Sequence, residues 1–482
     1  MQHLLQSPPP MNRTDCLAHA AAHFDEGGFL AALQRRVAYR TESDQGHVPP
    51  VLGEYLRTEM QQTLEPLGFV CTVHENPIAR GGPILVARRV EDPALPTVLT
   101  YGHGDVVSGQ DSQWRAGLQP WQITVEGDKW YGRGTADNKG QHTVNLLGLA
   151  AAIQARQGRL GYNVTVLLET GEEAGSPGLR EFCESQPALL KADLLIASDG
   201  PRLNAARPTL FLGSRGAVNF TLSIQARQRA YHSGNWGGVL SNPAIRLSHA
   251  IATLVGPQGR LLVEGLRPPP LTDAVRAAVQ DLPIGGDAED PALDAHWGEP
   301  GLNAAEKLLG WNTLEVLALG CGSAERPINA IPARALAHCQ LRFVVGTPWK
   351  DLAAIVRAHL DQHGFDDVDI AIGMEGAASR LDPASPWVHW ASNSIRSSSG
   401  QAPHILPNLA GTLPNDIFSD VLGLPTLWVP HSYPACAQHA PNEHLLGSVA
   451  REGMQIMAAL YWDLGDVQSA PWFQASTEVP ST

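Results

Sequence analysis

The sequence predicts an α/β fold. A mostly parallel sheet flanked by helices is interrupted by a smaller α+β domain. Three observations predict it. Short apolar runs end in polar clusters, as strands do at the carboxyl edge of a parallel sheet. Helical spacing separates those runs. After about Pro208 the pattern changes to strands with one wet face, and the first pattern returns near Pro386. A chain of 482 residues is too long for one core, which agrees with two domains.

The elements follow in order. Phe29–Val37 and Pro50–Leu64 carry helical apolar spacing, and Pro83–Val90 reads as a strand. Thr97–Tyr101 then precedes Gly102-His103-Gly104-Asp105. A helix is predicted over Gly140–Arg156. Asn163–Leu168 precedes Glu169-Thr170-Gly171-Glu172-Glu173, and Asp193–Ala197 precedes Ser198-Asp199. Phe220, Leu222 and Ile224 alternate with polar residues, as in a strand. Pro243–Leu254 and Trp349–His363 read as helices, Ala335–Val345 and Asp367–Ile372 as strands. Pro257–Pro300 is rich in Pro, Gly and Asp and reads as an extended excursion. Pro425–Val429 is a buried strand and Glu443–Leu464 a closing helix. The predicted domains are therefore 1–208 with 386–482, and 209–385 inserted between them. Ser7-Pro8-Pro9-Pro10 reads as a flexible leader and the tail from Asp466 as loose.

Composition narrows the function. Hydrophobic content of 43% and charged content of 17% are those of a globular protein. The net charge is −14, with no Lys/Arg block, which argues against nucleic acid or an anionic membrane as partner. No apolar run reaches the ~18 residues of a membrane span, and no signal peptide is legible. The six cysteines form no Cys-x-x-Cys pair, so reduced thiols in a cytoplasm are expected and thiolate ligation of a metal is not.

Five polar clusters carry possible chemistry. They are His103-Gly104-Asp105, Gly132-Arg133-Gly134-Thr135-Ala136-Asp137-Asn138-Lys139-Gly140, Glu172-Glu173, Asp199-Gly200-Pro201 and His439-Ala440-Pro441-Asn442-Glu443. Singly, each has a plain structural reading: a surface loop histidine, an N-cap, a solvated acidic loop, a turn, a helix entry. Together they differ, because three share one edge of one predicted sheet. A histidine and carboxylate set of this kind can hold metal ions, and an unliganded carboxylate beside them can carry a proton. Gly132-Arg133-Gly134 lacks the third glycine of a dinucleotide fingerprint, and no Gly-x-Ser-x-Gly elbow is present.

The order of the five clusters resembles the di-zinc peptidase family of carnosinase, acetylornithine deacetylase and succinyl-diaminopimelate desuccinylase. The resemblance spans about Phe29 to Leu464. It looks closest to the dipeptidase and carnosinase branch, because Asp199 rather than Glu fills the fourth position. It implies that His103 and Asp199 bind one metal, Glu173 and His439 a second, and that Asp137 bridges both. It implies that Asp105 orients His103, that Glu172 is the general base, and that Asp137–Asn138 is a cis peptide. Two divalent ions per chain are then expected: zinc suits the ligands, as do manganese and cobalt. Tyr231-His232-Ser233-Gly234 is similar to the family's lid motif, which makes 209–385 a lid and dimerisation domain. His232 would act across a homodimer as an oxyanion stabiliser. Asn329 and Arg342 match lid positions, the arginine gripping a substrate carboxylate.

The sequence also departs from the family. Where relatives carry Glu-Gly-Gly-Ser, this chain has Leu409-Ala410-Gly411-Thr412; Thr412 replaces the serine hydroxyl and the glutamate is absent. Pro430–Cys436 lacks the acidic residues of the carnosinase branch, and His431 stands there either as a substrate contact or as an ordinary loop histidine. Expected activity is thus metal-dependent cleavage of an amide or peptide bond in a small substrate, as a dipeptidase or carboxypeptidase-like enzyme. An N-acyl-amino-acid amidohydrolase is the alternative, and a non-catalytic binding protein the remote one.

Overall fold

The computed structural model describes residues 11–43, 48–285 and 290–474. The leader expected at Ser7–Pro10 lies outside them. Two compact units are present. The first comprises residues up to Leu212, Leu381–Leu406 and the chain from Ile417 onward; the second comprises Gly213–Arg380 and Pro407–Asp416.

The first unit is built on an eight-stranded sheet. Its strands are β1 (Val70–His74), β2 (Ile84–Arg89), β3 (Thr97–His103), β4 (Asn163–Glu169), β5 (Leu194–Ala197), β6 (Thr209–Phe211), β7 (His404–Leu406) and β8 (Thr426–Trp428). The spatial order is β1-β2-β4-β3-β5-β8-β6-β7. β4, β3, β5 and β8 run parallel side by side. β3 and β4 are in register from Thr97↔Asn163 to His103↔Glu169. These central strands are buried on both faces, which is why they read as unbroken apolar runs rather than alternating ones.

Helices cover the sheet. Lys139–Ala155 is buried on nearly every side, including its polar first turn. It packs beside Gly447–Asp463, and the pair shares a core with Phe29, Tyr55, Leu85 and Val164. Each such side chain contributes on the order of 1.5–3 kcal/mol when fully buried. The helix Pro50–Leu64 contains a π segment at Tyr55–Met60, and Tyr55 hydrogen-bonds inward to His142.

Some expectations are corrected. The closing helix begins at Gly447, not Glu443, because His444–Leu446 pairs as a strand with the hairpin Thr124–Tyr131. Of the tail from Asp466, the described part to Gln474 packs on the first unit: the Trp472 ring lies tilted 5.6 Å from Tyr162 and edge-on 5.4 Å from Trp387, and the rest of the tail lies outside the described residues. Helices at Arg13–Asp25, Leu179–Ser185 and Pro386–Ser399 were not anticipated.

The second unit is a four-stranded antiparallel sheet whose outer strands are Thr313–Gly320 and Asp369–Gly376. Its inner strands, Gly216–Gln225 and Arg334–Phe343, pair along their whole length. Helices Pro243–Leu254 and Leu352–Gln362 cover one face, burying Phe220, Leu222, Leu247 and Val356. The excursion is less extended than expected, since it carries the helix Asp273–Val279 and buries Leu261, Val263 and Leu266 in this core. Pro407–Asp416 belongs to this unit although the expected boundary placed it with 386–482. Leu409 donates to Gly213 O at 2.8 Å, and Asn415 donates to Ser379 Oγ at 2.7 Å.

Candidate metal centre

The site stands at the carboxyl edge of the first unit's sheet. His103 ends β3, Glu172 and Glu173 form a turn just beyond β4, and Asp199 lies just beyond β5. Because these strands are parallel and adjacent, the three clusters converge. Asp137 arrives from the glycine-rich loop before the helix Lys139–Ala155, and its peptide bond to Asn138 is cis.

Two groups of ligand atoms form, sharing Asp137. In the first, His103 Nε2 lies 3.0 Å from Asp137 Oδ1 and 3.6 Å from Asp199 Oδ2. In the second, His439 Nε2 lies 2.9 Å from Asp137 Oδ2 and 3.0 Å from Glu173 Oε2. Glu172 Oε2 lies 4.0 Å from His103 Nε2 and belongs to neither group. Asp105 faces His103 Nδ1 at 3.4 Å. It also accepts the N–H groups of Glu172 and Glu173 at 3.2 and 3.1 Å, so one buried carboxylate holds both the histidine and the acidic turn.

The electrostatics call for cations. Burial and the Asp137 charge push Asp199 up to about 6 and Glu173 up to about 7, the latter against the opposing pull of His439. Burial raises Glu172 well above the ordinary glutamate value, with Asp199 and Asp137 adding to it against His103. Burial alone would depress His103, but Asp105, Asp137, Asp199 and Glu172 outweigh it and hold the ring well above the usual histidine value. Glu173 Oε1 and Asp199 Oδ2 are buried and lack any hydrogen-bond partner. Buried unpaired carboxylate oxygens cost free energy unless something positive meets them. The all-oxygen-and-imidazole donor set therefore fits divalent metal ions.

Several residues that hold this geometry were not singled out from the sequence. Glu443 is buried, and its carboxylate accepts from Arg133 Nη1 at 2.6 Å and from the N–H groups of Gly134, Ala136 and Asp137 at 3.1, 2.8 and 3.0 Å. Asn138 Nδ2 donates to Ser198 O at 2.8 Å. His439 itself has φ 61°, and Ala437 and Asn442 are also left-handed, at 57° and 65°. Such non-glycine conformations are uncommon and mark an irregular, over-determined loop. Only the Asn-Glu pair after His439 hinted at this support. His431 is buried with neither ring nitrogen hydrogen-bonded, so it is not an accessible loop residue.

The remaining predicted residues lie in the second unit. Arg342 Nη1 donates to Thr412 Oγ1 at 2.9 Å, bringing those two together. Thr412 Oγ1 in turn donates to Arg215 O at 3.0 Å. Arg215, missed in the sequence, is buried with Nη1 unpartnered. Burial and the neighbouring Arg342 charge lower its guanidinium to about 10. His232 is exposed and pairs across a short ladder with Ala330, the neighbour of Asn329; Ser233 N donates to Asn329 O at 2.9 Å.

Comparison with known proteins agrees with this geometry. The family model described as "Peptidase family M20/M25/M40" matches residues 99–463. A Beta-Ala-His dipeptidase of Rattus norvegicus is 26% identical over 405 residues, covering 80% of this chain and 81% of the relative. A Cys-Gly metallodipeptidase DUG1 of Candida albicans is 28% identical over 363 residues, covering 69% and 72%. The crystal structure of an M20 family metallo-carboxypeptidase from Sulfolobus solfataricus superposes with a TM-score of 0.75 at 26% identity, covering 90% of this chain and 98% of that one. Human carnosine dipeptidase 1 shares the fold, with a TM-score of 0.71 at 24% identity over 95% and 100% of the two chains. The ligand clusters, the fold and the family match converge: this chain belongs to peptidase family M20/M25/M40 and is a metal-dependent hydrolase of peptide bonds.

Proposed function

We propose that this protein is a di-metal dipeptidase whose first unit is the catalytic domain. The observation that carries the reading is the pair of ligand groups sharing Asp137, with Glu172 free beside them. His103, Asp137 and Asp199 would hold one divalent ion, and Asp137, Glu173 and His439 the other, zinc being the best fit and manganese or cobalt acceptable. Bound there, the ions supply carbonyl polarisation and a water acidic enough to attack at neutral pH. Asp105 keeps His103 oriented through Nδ1. Glu172 takes the proton as the water oxygen bonds to the carbonyl carbon. It returns that proton to the leaving nitrogen as the C–N bond breaks.

The second unit is assigned as lid and dimerisation domain. Arg342 and Thr412 would bind the carboxylate of the substrate, with Asn329 nearby, and His232 would stabilise the oxyanion in the partner's site. The outer strand Thr313–Gly320 exposes Val316, Leu317 and Leu319 on an unpaired edge, which supports homodimer formation there. Among the described residues no helix is long and apolar enough to cross a membrane. All six cysteines are free, which supports a cytoplasmic setting.

A second reading, N-acyl-amino-acid amidohydrolase, is favoured by one feature. Leu409–Thr412 offers a hydroxyl but no carboxylate to accept a free substrate amine.

The test is to strip the protein with chelator, reload it with zinc, manganese or cobalt, and offer dipeptides and N-acyl amino acids in parallel. Two ions per chain with restored dipeptide cleavage is the expected result. Cleavage of N-acyl amino acids alone would select the second reading. No uptake and no cleavage would leave the non-catalytic binding protein.

A further inference from the structure

Gln141 lies in the first turn of the helix Lys139–Ala155 and is 1% exposed. Its side-chain amide joins three separate loops. Nε2 donates to Ala136 O at 2.9 Å and to Gly200 O at 3.1 Å. Oε1 accepts the N–H of His431 at 2.8 Å. The amide orientation follows from its partners, since two carbonyls require donors and one N–H requires an acceptor. Both amide hydrogens are thereby used.

The partners' positions give the contact its meaning. Ala136 immediately precedes Asp137, and Gly200 immediately follows Asp199. Asp137 and Asp199 are two of the three residues in the first ligand group. His431 begins the segment that runs from β8 towards His439. Two buried side chains link the Asp137 and Asp199 loops: Gln141 joins Ala136 O to Gly200 O, and Asn138 Nδ2 donates to Ser198 O at 2.8 Å. Of the two, Gln141 also holds the backbone N–H of His431, while Glu443 accepts the Asp137 N–H at 3.0 Å.

We propose that Gln141 is a positioning residue that, together with Asn138, sets the separation of Asp137 and Asp199, and through it the affinity of the first metal position. This rests on the two-metal reading. Among the described residues Gln141 hydrogen-bonds neither Glu173 nor His439 and reaches the shared Asp137 only through the preceding carbonyl of Ala136, so the second position should feel its loss less.

The experiment is a cobalt titration of chelator-stripped protein, read by visible absorption against a competing chelator. Wild type and Gln141→Met, which keeps length but cannot hydrogen-bond, are compared. Wild type is expected to take up two cobalt ions. Gln141→Met is expected to bind the first-position ion about 10–100-fold more weakly, the range seen when a residue supporting a metal ligand is lost. One ion should be retained, and high cobalt should restore kcat at unchanged KM. A purely structural role would instead lower the melting temperature and leave both titration steps where they are, overturning the assignment. Should Gln141→Met not fold, Gln141→Ala leaves room for water to replace the amide and carries the same titration. Failure of both variants to fold would overturn the assignment in favour of a folding role. Absence of cobalt uptake by wild type would defeat the two-metal reading instead.

Discussion

At the residue scale, the half-buried Glu172 and the buried Glu443 are both acids near Asp137 but have opposite surroundings. Glu172 faces His103 Nε2 only at 4.0 Å, beyond hydrogen-bond distance, which leaves its carboxylate available to take and release a proton. Replacing it with Gln should leave metal content near wild type and lower kcat by about 10²–10⁴-fold; metal analysis beside steady-state kinetics checks this, and near-normal turnover would remove Glu172 from the mechanism. Glu443 is saturated with donors, and its buried partner Arg133 is the only side-chain cation among them. Removing Arg133 as Met leaves a buried carboxylate without its counter-charge, a change that costs about 3–5 kcal/mol. Urea unfolding of the metal-free protein should show that loss as a lower midpoint.

At the element scale, the loop 132–138 and the two long helices decide whether the ligands meet. Gly140 admits no side chain: a Cβ there would stand 1.9 Å from Thr135 O. Gly140→Ala should therefore displace the Asp137 loop and abolish metal uptake, measurable by metal analysis of soluble protein. Gly148 is the close-approach point between helices. A Cβ would meet Met457 Cβ at 2.5 Å and Ala458 N at 2.9 Å. Alanine gains about 1 kcal/mol of helix propensity, but the backbone cannot yield cheaply, and overpacking costs about 1–3 kcal/mol. The net expectation for Gly148→Ala is a modestly lowered melting temperature.

At the scale of the whole molecule, the proposed homodimer gives two predictions. Leu317→Arg on the exposed strand Thr313–Gly320 should shift the protein towards monomer in light scattering. A His232→Ala variant mixed with a metal-site-dead variant should recover activity if His232 serves its partner's site. Dimers that persist in Leu317→Arg would place the interface elsewhere, and no recovery on mixing would confine His232 to its own chain.

The α/β class, the parallel strands and the ordered ligand clusters could be read from the sequence because they are local. Apolar run length marks a strand buried on both faces, and a polar cluster right after such a run must stand at the sheet's carboxyl edge. His103, Glu172, Glu173 and Asp199 were legible for that reason. Asp137 and His439 were legible only through the order of motifs, since neither follows a strand of the main sheet. Tertiary contacts decided the rest. His444–Leu446 reads as the start of a helix and is a strand because a hairpin from Thr124–Tyr131 offers it a partner. Pro407–Asp416 joins the second unit through hydrogen bonds to Gly213 and Ser379, which lie far away in sequence. Gln141, Glu443 and Arg215 carry no periodicity and no motif of their own. Their roles arise from burial beside loops distant in the chain, where an amide or a carboxylate must satisfy whichever backbone groups folding brings to it.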